Sequence, residues 1–586
     1  MADEKARPLE NGTWSRRRFL RAGLAGGAAA AAHGPGPAPR PAEIPPSEIA
    51  AMGIDALRSG LDSGRFTARA LVEQCLARVE AVDRRGPALR SVMETNPEAL
   101  AEAETLDREG RDGRPRGPLR GVPVLLKDNI DTAGRMATTA GSLALAGDRP
   151  SGDAFLVRRL RRAGAIVLGK TNLSEWANIR SPRSTSGWSA RGGLTLNPHA
   201  LDRNTSGSSS GSAAAVAAGL CPAAVGTETD GSIVSPASLN GIVGLKPTVG
   251  LISRTGIIPI SATQDTAGPM ARTVRDCAIL LGALAGADPE DAATGEGRAR
   301  TVEDYTKFLD SDGLRGVRIG FVRQYSGLHR GVDRLMDRAL SVLKAKGAVL
   351  VDPAEIKTLG RFDEAENTVL LYELKAGLKS YLARRGPAAP VRSLADIIAF
   401  NERHAGEEMA FFGQETFLKA EAKGPLTEKE YLDARTVCRT LARRDGIDAV
   451  MDAHRLDALA APTDGPAWLT DFVLGDHFLV SSSTLAAVAG YPSITVPAGA
   501  VFGLPVGLSF FGRAWSEPLL LRLAYAYEQA TNHRRAPRFL PTADLRACRK
   551  TGSCRSLPRK SVPALRSDAC GRAAEDPSRP EIGYNE

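Results

Sequence analysis

Aromatic residues are scarce, at 5% of the 586 residues. A nucleic-acid-binding face interleaves Lys and Arg with aromatic stacking platforms, so the net charge of +9 does not point to such a partner. Much of that charge lies in arginines near the two ends of the chain. Histidine is scarce too: none of the seven falls in a catalytic motif, which leaves a Ser-His-Asp triad without its base. The seven cysteines include no Cys-x-x-Cys pair. Cys75, Cys221, Cys277 and Cys438 stand far apart in apolar or helical contexts and read as buried thiols, not as a metal site or a disulfide framework. Cys548, Cys554 and Cys570 fall near the C-terminus. Outside the N-terminal segment, no stretch reaches the roughly 18 apolar residues of a membrane span. Neither a metal nor a cofactor is expected.

Hydrophobic content of 43% and charged content of 24% are those of a globular protein able to build a sizeable core. The first residues are sharper. Ser15-Arg16-Arg17-Arg18-Phe19-Leu20-Arg21 is followed by a weakly apolar run rich in Ala and Gly, the pattern of a twin-arginine export signal. Residues 1–32 are read as that signal, with the export machinery as a partner, and 33–46 as a Pro-rich spacer. The mature protein is then expected in the periplasm or secreted, without stable membrane insertion. After Phe539 the chain turns polar and rich in Arg, Ser and Pro, so 541–586 is expected to be a disordered tail.

Between residues 46 and 109 apolar residues recur at three- and four-residue steps, as at Ile54, Leu57 and Leu61 and then at Leu71, Val72, Cys75, Leu76 and Val79, which predicts helices. Pro97 suits the first turn of a further one. The run Val122-Pro123-Val124-Leu125-Leu126-Lys127 then reads as a short buried strand that ends on a lysine. Burial disfavours the charged amine. To be neutral at pH 7 its pKa must fall by about 3, which corresponds to ~4–5 kcal/mol. From the strand alone Lys127 is either such a neutral base or a lysine that reaches water or pairs with Asp128 or Asp131. Gly164-Ala165-Ile166-Val167-Leu168-Gly169-Lys170-Thr171 matches the phosphate-loop pattern letter for letter. A phosphate loop needs exposed amides between strand and helix, and four consecutive apolar residues make this run a strand instead. Asn172, Glu175 and Trp176 are expected to begin a helix, and 186–193 is a glycine-punctuated loop.

Residues 206–246 hold two Ser/Gly turns around an Ala-rich segment: Ser206-Gly207-Ser208-Ser209-Ser210-Gly211-Ser212, then a helical run from Ala213 to Leu220, then Gly226-Thr227-Glu228-Thr229-Asp230-Gly231-Ser232. Gly and Ser serve where backbone must turn sharply or approach a ligand closely. A flexible linker has the same composition, but the flanks here are apolar. Gly207-Ser208-Ser209-Ser210-Gly211 also fits the Gly-x-Ser-x-Gly elbow, yet no strand precedes it as that motif requires. Ser341-Val342-Leu343-Lys344 fits the Ser-x-x-Lys of penicillin-binding enzymes, but their Ser-Asp-Asn motif is missing and the Lys-Thr-Gly match at Lys550 falls in the tail.

A serine hydrolase without histidine can use a neutral lysine as base. Lys127 on its strand, the paired serines Ser208 and Ser209, and Ser232 followed by Gly241-Ile242-Val243-Gly244-Leu245-Lys246-Pro247-Thr248 resemble the amidase signature family. The resemblance spans residues 47–539 or so. It implies an α/β fold: one large domain over 47–540, with a central mixed twisted β-sheet covered by helices on both faces and a variable, mainly helical roof at 287–450. It also implies a Ser-cisSer-Lys triad, with Ser232 as nucleophile, Ser208 as bridging serine on a cis peptide, Lys127 as base, and Ser209 supporting the lysine. The backbone amides of Thr229, Asp230, Gly231 and Ser232 form a turn able to hold an oxyanion. Asp230-Gly231 before the nucleophile, where the family commonly has Gly-Gly, and Ser210, where glycine is common, both resemble the peptide amidase branch, as do Gly187-Trp188-Ser189-Ala190-Arg191-Gly192-Gly193 and Gln264-Asp265-Thr266-Ala267-Gly268-Pro269-Met270.

The implied activity is hydrolysis of a carboxamide, a peptide C-terminal amide foremost, to acid and ammonia through an acyl-enzyme. Small aliphatic or aryl amides are the alternative substrates. Two readings from other classes are an exported binding protein that keeps the fold without catalysis, and a component of a transfer-RNA amidotransferase, which would need cytosolic partners.

Overall fold

The computed structural model describes residues 48–545 apart from 112–116, 148 and 387–388. The export signal, the spacer, Cys548, Cys554, Cys570, Lys550 and nearly all of the tail lie outside the described residues.

From Glu48 to Ala543 the described residues form one unit, built on an eleven-stranded sheet. In chain order its strands are β1 (Val92–Thr95), β2 (Pro123–Lys127), β3 (Ile166–Thr171), then β6 (Ala223–Glu228), β7 (Val243–Lys246), β8 (Thr266–Ala271), β9 (Arg318–Phe321), β10 (Val349–Val351), β11 (Ala458–Pro462), β12 (Ser493–Val501) and β13 (Leu504–Phe511); β4 (Trp188–Ser189) and β5 (Gly193–Leu194) pair separately as a small hairpin. The spatial order is β1-β3-β2-β6-β8-β7-β12-β13-β11-β9-β10. β3, β2 and β6 run parallel to one another, as do β11, β9 and β10, and the remaining neighbours are antiparallel.

Both faces of the sheet are buried, which is why its parallel strands read as continuous apolar runs. Side chains alternate across a strand, and the two cores divide accordingly. Val124 and Leu126 of β2, Val167 of β3 and Ala223 and Val225 of β6 enter one core, together with the helices Phe155–Arg162, Val274–Leu284, Arg330–Ala345 and Glu517–Thr531. Leu125, Ile166, Leu168 and Ala224 enter the other, with the helices Ala68–Arg78 and Ser210–Ala217. Lys127 shares the parity of Leu125, so it lies on the face that meets the Ala-rich helix. Every residue of that helix is buried. Its small side chains are required by close packing: a Cβ on Gly211 would stand 2.3 Å from Ser91 O and 2.5 Å from Asn172 O.

The phosphate-loop look-alike is β3, and all six of its residues are buried. Ser341 and Lys344 sit on the ordinary helix Arg330–Ala345. Cys75, Cys221, Cys277 and Cys438 are buried free thiols. Several segments differ from the sequence reading. Residues 92–95, expected within a helical stretch, form the edge strand β1. The expected helix from Asn172 is a single 3-10 turn, Glu175–Asn178, in which Trp176, Ala177 and Asn178 all take positive φ, at 48°, 53° and 72°. Residues 186–193 include most of the β4-β5 hairpin. Two strands of the expected roof, β9 and β10, extend the far edge of the central sheet. The helix Asp363–Arg384 supplies Leu370 to the pocket described below.

Candidate active site

Two neighbouring parallel strands and the turn before the Ala-rich helix converge on one point. β2 ends at Lys127 and β6 carries Thr227 near its end; the two strands are in register, with Leu126 opposite Val225. Lys127 Nζ is bonded to Ser208 Oγ at 2.7 Å, to Thr227 Oγ1 at 2.9 Å and to Thr227 O at 3.1 Å. The lysine is fully buried and all three partners are uncharged. Burial therefore pulls its pKa down to about 7, opposed weakly by the charges of Glu228 and Asp265. The pairing with Asp128 or Asp131 that the sequence left open does not occur: Asp128 pairs with Arg191 and is bonded by Thr139 Oγ1, and Asp131 pairs with Arg385.

Ser208 follows a cis Gly207–Ser208 peptide bond. Ser206 before it has φ of +58°, and its hydroxyl exchanges a 2.6 Å hydrogen bond with Ser235. Glycine at 207 is a packing requirement, because a Cβ there would lie 2.1 Å from Ser174 Oγ. Ser209 ties the turn to β6 in both directions. Its Oγ donates to Thr227 O at 3.0 Å and accepts from Thr227 N at 3.2 Å, and its amide donates to Ser232 O at 3.1 Å. Thr227 O thus accepts from both Lys127 and Ser209. Ser210 closes the turn by donating from Oγ to Ser206 O at 2.7 Å.

Residues 229–232 leave β6 as a turn in which Gly231 has φ of +75°. Among the described residues, the amides of Asp230, Gly231 and Ser232 donate to no group in the chain. The turn is braced from below. Glu228 Oε2 accepts from Ile233 N at 2.7 Å and Val234 N at 3.0 Å, and Asp265 Oδ1 accepts from Thr229 Oγ1 at 2.6 Å. The Asp230 carboxylate is tied to Ser483 Oγ at 2.5 Å and Thr484 Oγ1 at 2.7 Å. Burial raises its pKa, partly offset by those two hydroxyls.

Ser232 opens on a pocket of 290 Å³ whose opposite wall is apolar, with Ile179, Ile260, Leu370 and Phe478. A second chamber of 220 Å³ adjoins it, sharing Ala177, Thr229 and Ile260, and reaches Asn129 and Thr227 behind the lysine. The left-handed residues Ala177 and Asn178 therefore line the same pocket as Ser232. They are held by a buried ion pair between Glu175 and Arg180, at 3.0 Å and with both side chains fully buried. Arg180 also lies 4.3 Å from the ring centre of Phe412.

All the site residues named from the sequence, Lys127, Ser208, Ser209 and Thr229 to Ser232, sit at this one place. Sequence reasoning missed Thr227, although it stands inside the quoted Gly226 to Ser232 run, and Asn129, whose Nδ2 donates to Thr227 Oγ1 at 3.0 Å. It also missed that Lys170 and Lys246 are as deeply buried as Lys127. Their charges face carboxylates, Asp128 for Lys170 and Glu228 for Lys246, so burial lowers their pKa only to about 8. Lys127 alone among the three touches a serine hydroxyl. No cluster of metal-ligating side chains is present among the described residues.

The family model for amidases matches residues 70–521. The structure superposes on native peptide amidase from Stenotrophomonas maltophilia with a TM-score of 0.81 and 55% identity, over 84% of this chain and all of that one. An Arabidopsis thaliana protein described as a probable amidase is 43% identical over 83% of this chain and 91% of its own length. A glutamyl-tRNA(Gln) amidotransferase component from Chloroflexus aurantiacus is 37% identical over 84% of this chain and 100% of its own.

Proposed function

The chain belongs to the amidase family and is an enzyme that hydrolyses the carbon–nitrogen bond of amides; we propose that it does so with Ser232 as nucleophile, Ser208 as bridge and Lys127 as base, and that its substrates are peptides ending in a C-terminal carboxamide. The observation that carries the mechanism is the 2.7 Å contact between Ser208 and a fully buried lysine whose pKa is pulled down to about 7. A lysine at that value is about half neutral at pH 7, so it can accept a proton where an ordinary lysine cannot.

In this reading Ser232 Oγ attacks the amide carbonyl. Its proton passes to Ser208 as Ser208 gives its own to Lys127. The amides of Thr229, Asp230, Gly231 and Ser232 hold the oxyanion, and removal of one such donor typically costs about 3–4 kcal/mol of transition-state stabilisation. The proton returns through Ser208 to the departing nitrogen, which leaves as ammonia, and water hydrolyses the acyl-enzyme by the same relay run again. Ser209 supports the lysine by fixing Thr227 O, the acceptor the two share.

The peptide-amide substrate is supported by the 55% identity to a peptide amidase over nearly the whole folded unit, against 37% to the amidotransferase component. The Asp230-Gly231 variant of the oxyanion turn, shared in pattern with that branch, points the same way. An ammonia-release assay across peptide amides, aryl amides and small aliphatic amides tests the class: peptide amides should give the highest kcat/KM, and a higher value for propionamide would reject the assignment. We further propose, on Arg16-Arg17 and the apolar run that follows, that the protein is exported by the twin-arginine route. Replacing Arg16 and Arg17 by Lys should retain it in the cytoplasm, and unchanged export would refute this.

A further inference from the structure

Ser232 opens on a pocket of 290 Å³, adjoined by the chamber of 220 Å³. The leaving group of a carboxamide is ammonia, so whatever bulk a substrate has beyond this pocket lies on its acyl side. One wall of the pocket is Phe478, and Phe478 belongs to a segment, 469–479, whose apolar side chains face outward. Val473 is 84% exposed, Leu474 70%, Leu469 53%, Phe478 51% and Leu479 40%.

This exposure is built into an anchored loop. Asp471 Oδ1 accepts from the amides of Val473 and Leu474 at 2.8 and 3.0 Å, which turns both side chains outward. Asp476 holds the other end, accepting from Ser186 N at 3.0 Å and from Ser186 Oγ at 2.5 Å. Phe472 stacks on Phe411 with ring centres 4.0 Å apart, and Phe411 meets Trp188 edge-on at 5.4 Å, so an aromatic row continues the rim across to the β4-β5 hairpin. The two carboxylates of the loop are engaged by its own backbone, by His477 and by Ser186. An ordered apolar patch of this kind marks an interaction surface.

We propose that the 469–479 rim, with Phe411, is an outer subsite for the acyl side of the substrate. It takes the apolar side chains of the residues that precede the one carrying the amide. The inference rests on the amidase reading. The continuity of the rim with the Ser232 pocket through Phe478 assigns it to substrate.

The test compares kcat/KM for two peptide amides that share a terminal alanine amide, one with two leucines before it and one with two serines, in the wild-type protein and in the double variant Val473→Ser/Leu474→Ser. The wild type should favour the leucine peptide by about ten-fold or more, mainly through KM. The double variant should lose most of that preference, a change of about 1.4 kcal/mol in relative transition-state binding. An absent preference in the wild type, or one the variant leaves intact, overturns the proposal. If the wild type cleaves neither peptide, the peptide reading fails by itself, and the same ratio is read on decanamide against butanamide: a preference for decanamide lost in the variant supports the rim as an acyl-side subsite, and an unchanged ratio overturns it. Sedimentation with phosphatidylglycerol vesicles that is lost in the variant, while the substrate preference stays, would give the patch to a lipid surface and likewise overturn it.

Discussion

Lys127 Nζ lies 2.7 Å from Ser208 Oγ, a buried contact between residues 81 apart in sequence, and neither partner carries a compensating charge. In the proposed relay Ser208 passes a proton to Lys127, which a protonated lysine cannot accept. kcat/KM should therefore rise with pH through an inflection near 7, set by the lowered lysine pKa, and level off above it. A rate that is flat from pH 5 to 9 would remove Lys127 from the role of base.

Lys127→Met should abolish turnover, as should Ser232→Ala, with the fold intact. The lysine variant should also be more stable at pH 7. Burial lowers the folded pKa to about 7, while the unfolded lysine titrates near 10.4. The unfolded chain binds the extra proton between these values, so this group's cost to stability is full below pH 7 and fades as pH rises towards 10.4. That cost is ~4–5 kcal/mol, and Met removes it while leaving Ser208 and Thr227 one partner short. A net gain of about 1–2 kcal/mol at pH 7, turning into a net loss of about 2 kcal/mol at pH 10 as the charge penalty vanishes and the lost hydrogen bonds remain, should appear in denaturant melts at the two values. Destabilisation at pH 7 would contradict the assignment.

Glu228 acts on both halves of the site. Its carboxylate raises the lysine pKa through space and receives the two amides that follow the 229–232 turn. Glu228→Gln should shift the pH inflection to lower pH and reduce kcat by about ten-fold, since amide bonds to a neutral acceptor are weaker. An inflection that stays in place or moves to higher pH would count against the electrostatic link.

Gly207→Ala tests the fit of the serine turn. The new methyl would sit 2.1 Å from Ser174 Oγ and 3.0 Å from Ser186 Oγ. Overpacking of this kind costs about 1–3 kcal/mol, and displacing Ser208 should lower kcat by more than a hundred-fold. Adding Ser174→Gly should recover part of the stability, and a single variant that is fully active would show that the turn has slack.

Arg180→Met should destabilise the protein by about 3–5 kcal/mol, because it strands the fully buried Glu175. Adding Glu175→Gln should restore part of the loss in thermal melts, the remainder belonging to the buried Glu408 carboxyl that Arg180 also faces. Additive penalties in the double variant would mean that the pair is not coupled.

Much of this was legible in the sequence, for identifiable reasons. A strand buried on both faces must be apolar throughout, so Val124, Leu125 and Leu126 announce β2 and make the lysine at its end conspicuous. Turns that need small residues advertise themselves through Ser and Gly. What stayed hidden depends on partners distant in the chain. Val92–Thr95 is short and, Val92 apart, only half-buried, so it carries no alternation to set it apart from the helices around it. Nothing in the identities of Trp176 and Ala177 encodes a left-handed backbone; the fold imposes it through the Glu175–Arg180 pair and the amide of Trp176 bonding Ala140 O. Lys170 and Lys246 lie at or near the ends of apolar strands as Lys127 does, and what sets Lys127 apart is its contact with Ser208, 81 residues away in the chain.

The burial of those three lysines also bears on how the protein can be handled. Amine-directed reagents at mild pH select the lysines of lowest pKa, and here those are Lys127, Lys170 and Lys246, none of which presents any surface to solvent. Coupling to a resin through amines must fall instead on exposed positions such as Lys344, Lys346 and Lys429. The group most prone to such chemistry is thus shielded by the burial that lowers its pKa, and the protein should tolerate lysine-based immobilisation without loss of its reactive amine.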